Sequence, residues 1–192
     1  MKINDLKVGE LIQETRKINA KPGGGAIVIL TANLAVNLCL MMERNDWGDL
    51  KEEAKDKRRV MEEISDLLVG CADDDIYYAS ILIDQYKEKG PIDEKYFVDA
   101  SKPQIRLNTL VSKALEVLAF YLEHGKATTL TDGEIANEML ISAIKSSVPT
   151  LKVNLKDTNY KYNIGEVLDE ANKLYENNRN IIERRKAWQD YM

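Results

Sequence analysis

The sequence predicts an all-α protein folded as a multihelical bundle, on three observations. Its 192 residues include only 10 glycines and 4 prolines, too few for an all-β chain that turns about every 8–12 residues. Apolar residues recur at steps of three and four over most of the length, as on one face of a helix. With 44% hydrophobic and 31% charged residues, the composition is typical of a globular core. No linker or repeat interrupts it, so we expect a single helical domain over residues 1–192.

The first candidate helix is the apolar segment at residues 26–42. It holds 17 residues, with Thr31, Asn33 and Asn37 among them, which is at the short limit of about 17–25 for crossing a bilayer. A helix that is apolar around most of its circumference is better explained as the core of a bundle. Residues 1–21 are mixed and polar, without the apolar stretch of a secretory signal. We therefore expect a soluble protein with no membrane partner.

A second, longer helix follows a charged stretch. Residues 46–63 carry dense charges of mixed sign, typical of a solvated helix start. From there an apolar face runs at steps of four and three, which predicts one continuous helix. Its members are Val60, Ile64, Leu67, Cys71, Asp74, Tyr78 and Ile81. The break at Gly90-Pro91 ends the pattern.

Three further segments have helical features. Helical spacing resumes at Leu107, Leu110, Val111, Ala114, Leu118 and Tyr121, and His124-Gly125 has the form of a C-terminal stop. Residues 131–134 match a capping box, with Thr131 as N-cap and Glu134 reaching back, before a helix that Pro149 ends or bends. A loop is expected at residues 153–156. A last amphipathic helix carries Val167, Leu168, Ala171, Leu174, Tyr175 and Ile181.

Charge and cysteine content exclude several function classes. Lys and Arg number 27 against 32 Asp and Glu, for a net charge of −5, so the chain lacks the overall positive charge of nucleic-acid-binding proteins. Cys39, Cys71 and His124 are the only cysteines and histidine, too few for a Cys/His zinc site or a disulfide framework. We expect buried thiols and a cytoplasmic location. A nucleophilic pair of Cys71 with His124 remains open.

Asp74 is the most informative position on the long helix. Its spacing from Cys71 and Tyr78 points it inward if the helix is continuous. A carboxylate on an apolar face meets a cation or a donor, or has its pKa raised, and a raised pKa suits a general acid/base near neutral pH. On this interpretation Asp73 and Asp75, about 100° to either side, are solvated or paired with cations. The alternative is a solvated acidic turn.

Three glycines, Gly23, Gly24 and Gly25, follow Pro22 at the start of the apolar helix. Glycines let main-chain N–H groups approach a ligand, and a helix N-terminus favours a carboxylate, phosphate or carbonyl oxygen there. The alternative is a tight loop in which only glycine fits between packed helices. On the same helix Asn33 and Asn37 share a face. These two amides need partners from a ligand, a neighbouring helix or another subunit.

Five short motifs, in order, resemble those of the cyclodeaminase/cyclohydrolase family, the C-terminal domain of formiminotransferase-cyclodeaminase, which also occurs as free-standing proteins. The resemblance spans roughly residues 5–185. The motifs are the glycine run with its apolar helix, Asp74 with Tyr78, Ala100-Ser101-Lys102-Pro103, Thr131-Asp132 with Ala136, and Lys152-Val153-Asn154-Leu155. The chain departs from the family pattern at Ala26, where serine is common, and at Thr150, where asparagine often stands.

The resemblance implies an all-α, intertwined homodimer that acts on a one-carbon tetrahydrofolate, with or without a polyglutamate tail. Family members cyclise 5-formimidoyltetrahydrofolate to 5,10-methenyltetrahydrofolate with loss of ammonia, or hydrolyse the methenyl form to 10-formyltetrahydrofolate. Neither reaction needs a metal, or a cofactor beyond the tetrahydrofolate substrate. A non-catalytic member that binds a folate-like ligand, or serves as a structural helical dimer, is the alternative.

Residue roles follow from the same resemblance. Asp74 would carry a proton between N10 and the leaving amine. The substrate-binding residues would be Gly23, Gly24 and Gly25 for the pterin edge or a glutamate carboxylate, Asn33, Asn37, Tyr78 and Asn154 for the pterin, and Lys21 and Lys156 for the glutamate tail.

Overall fold

The computed structural model describes residues 2–18 and 21–189 and confirms the all-α prediction. No strand occurs in these two ranges. The helices are α1 (Val8–Glu14), α2 (Gly24–Leu40), α3 (Lys51–Gln85), α4 (Glu94–His124), α5 (Leu130–Leu155) and α6 (Ile164–Gln189). Single 3-10 turns lie at Ile3–Asp5, Gly48–Leu50 and Ala127–Thr129.

Helix α4 lies at the centre of the bundle, in contact with α2, α3, α5 and α6. Helix α2 packs between α3 and α5, while α6 covers α4 and α5. One continuous apolar core joins these five helices. Its largest fully buried side chains include Ile29, Met61, Leu68, Leu118, Tyr121 and Leu140. None of the described helices is both long and apolar enough to cross a bilayer.

The predicted core face of α3 is wrong at Leu67 and Asp74, which are exposed, and is confirmed at Ile64 and Cys71. Leu67 is 40% exposed, whereas Leu68 is fully buried. Ile64 and Cys71, seven residues apart, are buried in either register. Because a helix has about 3.6 residues per turn, the residue that follows Ile64 on the same face can be three or four positions later, at Leu67 or at Leu68. Packing against α2 and α4 buries Leu68, and the same register brings Asp75 inward one turn later.

Two boundary predictions are also wrong. No capping box forms: α5 begins at Leu130 without a side-chain cap, and Glu134 instead pairs with Lys186 on α6 at 2.7 Å. Pro149 does not end α5, which continues to Leu155, so residues 153–155 form its last turn rather than a loop. Proline removes one helical N–H bond. At this exposed position the helix packing outweighs that loss.

The register of α3 can be tested with its adjacent leucines. Leu68→Ala should lower the free energy of unfolding by about 2–5 kcal/mol, since it empties a closed core position. Leu67→Ala removes the same atoms from a partly exposed position and should cost less than about 1 kcal/mol. Urea unfolding of both variants measures the difference. A larger cost for Leu67→Ala would restore the register that turns Asp74 inward.

Candidate functional site

The buried carboxyl of α3 belongs to Asp75, which is 7% exposed. The Gln104 side-chain amide of α4 donates a hydrogen bond from Nε2 to Asp75 Oδ1 at 2.7 Å. The main-chain N–H of Ala26, in the first turn of α2, donates a second bond to the carboxyl. Burial raises the pKa of Asp75, and these two hydrogen bonds oppose part of that rise. Three helices thus converge on one acidic group.

The prediction that Asp74 points inward is therefore wrong. Asp74 is exposed, and its neighbour Asp75 takes the position assigned to it. The prediction that Asp75 is solvated fails for the same reason. Asp73 is half-buried and accepts a hydrogen bond from the Ile3 main-chain N–H at 2.9 Å, so it anchors the N-terminal segment to α3. The acidic triplet lies inside α3 rather than in a turn.

Gly25 is required by the closeness of this contact. A Cβ at residue 25 would lie 2.6 Å from both Asp75 carboxyl oxygens and 2.6 Å from Gln104 Nε2. Gly24 has no such neighbour within 4 Å, and Gly23 is the N-cap of α2. The tight-packing interpretation of the glycine run is confirmed at Gly25, and the ligand-binding interpretation stays a prediction. Gly25 allows tight packing, and Gly24 leaves open space at the positive end of α2.

Gln104 is the site residue that sequence reasoning missed. It is fully buried, and its Oε1 has no hydrogen-bond partner among the described residues. The signal was present, because stepping back three residues from Leu107 along the apolar face of α4 reaches Gln104. A polar side chain at a buried position on an apolar helix face needs a hydrogen-bond partner. Here the partner is Asp75.

Tyr78 lies one turn beyond Asp75 on the same side of α3 and is half-buried. Its ring packs edge-on against Tyr77 at 5.2 Å between centroids. Lys102, exposed on α4, pairs with Asp99 at 2.6 Å, which raises the pKa of the lysine. Tyr78 and Tyr160 add smaller electrostatic effects in the same direction. Tyr78 therefore presents an aromatic ring one helical turn from the buried carboxyl.

The Asn33 and Asn37 amides find their partners within the chain. Asn37 Nδ2 donates to Asn33 Oδ1 at 3.1 Å and to Ser65 Oγ at 3.0 Å, and Ser65 Oγ donates to Asn33 Oδ1 at 2.7 Å. Ser65 of the neighbouring helix α3 thus provides the hydrogen-bond partner that these two amides need. Asn33 is eight residues beyond Gly25, or about 12 Å along α2, so this network is separate from the buried carboxyl.

The remaining predicted binding residues lie apart from Asp75. Lys21 is exposed. The pKa of Asp84 is lowered mainly by a hydrogen bond from Lys87, and the charge of Lys21 adds a smaller effect. Lys21 therefore lies towards the C-terminal end of α3. Asn154 and Lys156 line a groove of about 170 Å³ at the end of α5. This groove also contains Tyr86, Phe97 and Thr158. Eleven residues separate Asp75 from Tyr86, or about 16 Å along α3.

The cysteines do not form a nucleophilic site. Cys39 and Cys71 are fully buried, and desolvation raises the pKa of both thiols. His124 is exposed and packs on Phe120, with 5.3 Å between the rings. The open pairing of Cys71 with His124 therefore fails. No group of three His, Cys, Asp or Glu residues in the described parts of the chain is arranged around a metal position.

A cavity of about 650 Å³ lies where the C-termini of α2 and α4 meet. Its arginines already have partners. Arg185 donates to the main-chain oxygens of Leu122 and Gly125 at 2.6 and 2.9 Å. Arg44 donates to that of His124 at 3.3 Å. These bonds satisfy helix-end carbonyls, which accounts for the arginines structurally.

Asp75 has the properties of a proton carrier. Two donors stabilise its carboxylate, while burial favours its neutral acid. A carboxyl whose pKa is raised in this way can accept and return a proton at a higher pH than an ordinary aspartate. The first turn of α2, with open space around Gly24, and Tyr78, one helical turn away on α3, are its neighbours.

Comparison with known proteins places this geometry in context. A sequence model of the formiminotransferase-cyclodeaminase family matches residues 7–173. No curated protein matches the chain significantly. Among solved structures, a formiminotetrahydrofolate cyclodeaminase from Thermotoga maritima superimposes with a TM-score of 0.83, at 18% sequence identity, over 95% of this chain and 96% of that chain. At this identity the likeness shows a common fold.

Proposed function

Because the chain belongs to the formiminotransferase-cyclodeaminase family, we propose that it is a cytoplasmic enzyme acting on a one-carbon tetrahydrofolate. The activity is cyclodeamination of 5-formimidoyltetrahydrofolate, or cyclohydrolysis of 5,10-methenyltetrahydrofolate. The observation that carries the proposal is the buried Asp75 carboxyl beside the N-terminus of α2. Both reactions need a group that moves one proton, and neither needs a cofactor beyond the folate.

Ring closure can be written through Asp75. N10 attacks the carbon of the protonated formimidoyl group, a C–N10 bond forms, and the C=N electron pair moves onto the formimidoyl nitrogen. The Asp75 carboxylate takes the proton from N10 and returns it to that amine. Ammonia then leaves with the C–N electron pair, and N5 supplies the pair that completes the methenyl cation. The nucleophile belongs to the substrate, so positioning supplies much of the rate.

The substrate lies across the start of α2 in this proposal. Main-chain groups of Gly23 and Gly24 face the pterin edge, since no side chain stands within 4 Å of a Cβ built at Gly24. Tyr78 provides a ring surface one turn from Asp75. Lys21, next to the glycine run, serves a glutamate carboxylate. Because Asn33 and Asn37 are bonded to Ser65, they contribute to packing rather than to the pterin site.

Asp75→Asn should abolish turnover, because an amide cannot accept and return the proton; we expect a loss of about 100-fold or more. Asp74→Asn makes the same change on the exposed neighbour and should retain the wild-type rate. The absorbance of 5,10-methenyltetrahydrofolate measures both activities: it rises when 5-formimidoyltetrahydrofolate is cyclised and falls when the methenyl form is hydrolysed.

Wild-type protein that turns over neither substrate would exclude the enzyme and leave a binding or structural scaffold. A loss confined to Asp74→Asn would return the proton carrier to the exposed position.

We also propose a homodimer formed through the outer face of α2. A helix that is apolar all round is buried in proteins, yet Leu34 is 65% and Met41, just after the helix, 53% exposed. Ile27 and Leu30 lie half-buried on the same side. No charged residue occurs within α2. Two copies of this face can therefore pack together without charge repulsion, and a second copy of the chain is its best-matched occupant.

Light scattering should give about twice the chain mass of 21.8 kDa at micromolar concentration. Leu34→Glu should shift the protein to monomer, since it buries two unpaired carboxylates in a symmetric contact. Asn177→Glu adds the same charge to an exposed position of α6 and should leave the dimer intact. A monomeric wild type, or a dimer that tolerates Leu34→Glu, would contradict the proposed interface.

A further inference from the structure

We propose that Gln104 is a positioning residue that holds the Asp75 carboxyl against the first turn of α2 and keeps its ionised form available inside the bundle. The inference deepens the proposed function, because Asp75 is the proton carrier of that function. It assigns a role to a residue outside the sequence motifs that resemble the family.

The contact is built rather than incidental. Gln104 is fully buried on the central helix α4, and Nε2 donates to Asp75 Oδ1 at 2.7 Å. The same nitrogen lies so near α2 that a Cβ at Gly25 would come within 2.6 Å of it. The amide therefore has little freedom to move, and the carboxylate it holds has one orientation relative to the Ala26 N–H.

Packing alone does not explain a glutamine at residue 104. Its Oε1 is buried without a hydrogen-bond partner among the described residues, and an unsatisfied buried acceptor costs about 1–3 kcal/mol. Methionine would fill the same volume without that cost. The benefit that offsets it is the N–H donated to Asp75. The free Oε1 also leaves an acceptor beside Asp75 for an N–H of the ligand.

Few charged groups compete for control of Asp75. On α3 the ionisable neighbours are Asp74, which is exposed, the half-buried Asp73 and Tyr78, and the buried Cys71 thiol. From α4, the charge of Arg106 lowers the pKa of Cys71 against the larger effect of burial. Helix α2 contributes the Ala26 main-chain N–H. Within this set Gln104 is the side chain that hydrogen-bonds to the carboxyl.

Gln104→Met tests the role through the titration of Asp75. In carbon-13-labelled protein, the Asp75 carboxyl resonance, assigned by its loss in Asp75→Asn, reports its pKa without any substrate. Removing a donor to the carboxylate should raise that pKa by about one unit. In turnover, the acid limb of the kcat/KM profile should move to higher pH by the same amount, with kcat lowered more than KM is changed.

Gln13→Met, on the exposed surface of α1, is the matched control and should leave the titration unchanged. Gln104→Leu removes the same donor with an apolar side chain of similar size and should also raise the pKa of Asp75, so it serves if Gln104→Met does not fold. An Asp75 pKa that stays within about 0.3 units of wild type in both Gln104 variants would overturn the inference. Absent folate turnover in wild type would refute the proposed function, while the resonance still decides the role of Gln104.

Discussion

The contact between the Asp75 carboxyl and the first turn of α2 is the constraint on which the site depends. A carboxyl inside a helical bundle is unfavourable when ionised unless donors surround it. This chain provides them from two other helices, as the Ala26 N–H and the Gln104 amide. The approach is so close that residue 25 can carry no side chain without displacing the pair. The Asp75 carboxyl thereby fixes the relative positions of Gly25 on α2 and Gln104 on α4.

Helix α2, which contains no charged residue, has an N-terminus, an inner face and an outer face in three different environments. Its N-terminus meets a carboxyl, which suits the positive end of a helix. Its inner face fills the core through Ala26, Ile29 and Val36, all fully buried. Its outer face remains apolar and exposed at Leu34. A helix with these properties is explained if one side is covered by α3, α4 and α5 and the other by a second copy of the chain.

Much of the fold could be predicted from the sequence, because the helical spacing and the break at Gly90-Pro91 are local signals. The core face of α3 could not, since Leu67 and Leu68 are equally apolar and only the packing of α2 and α4 selects one of them. That one-residue choice led to the prediction that Asp74, rather than Asp75, points inward. The other errors have the same origin. Glu134 bonds to α6 instead of capping α5, a tertiary contact that local pattern cannot reveal.

Part of the candidate site was nevertheless visible. The glycine run predicted the start of α2, and the acidic triplet contains the buried carboxyl of α3. Gln104 was not recognised, because a glutamine on an apolar helix face can be assigned to the site only once its hydrogen-bond partner on another helix is known. The family match and the shared fold at 18% identity agree with this view. The helical framework follows from apolar spacing, whereas the site follows from which polar groups that framework brings into contact.

The unfolding free energy of wild type and Asp75→Asn, followed against pH, tests the buried carboxyl most directly. Because burial raises the pKa of Asp75 in the folded state, ionising it opposes folding. Wild type should lose this stability as the pH rises from about 4, the usual pKa of an aspartate, through the raised value. Asp75→Asn should not, so the two curves should lie closest in acid and diverge in favour of the variant towards neutrality. Curves that run parallel, or a wild type that gains stability over this range relative to the variant, would contradict a buried Asp75.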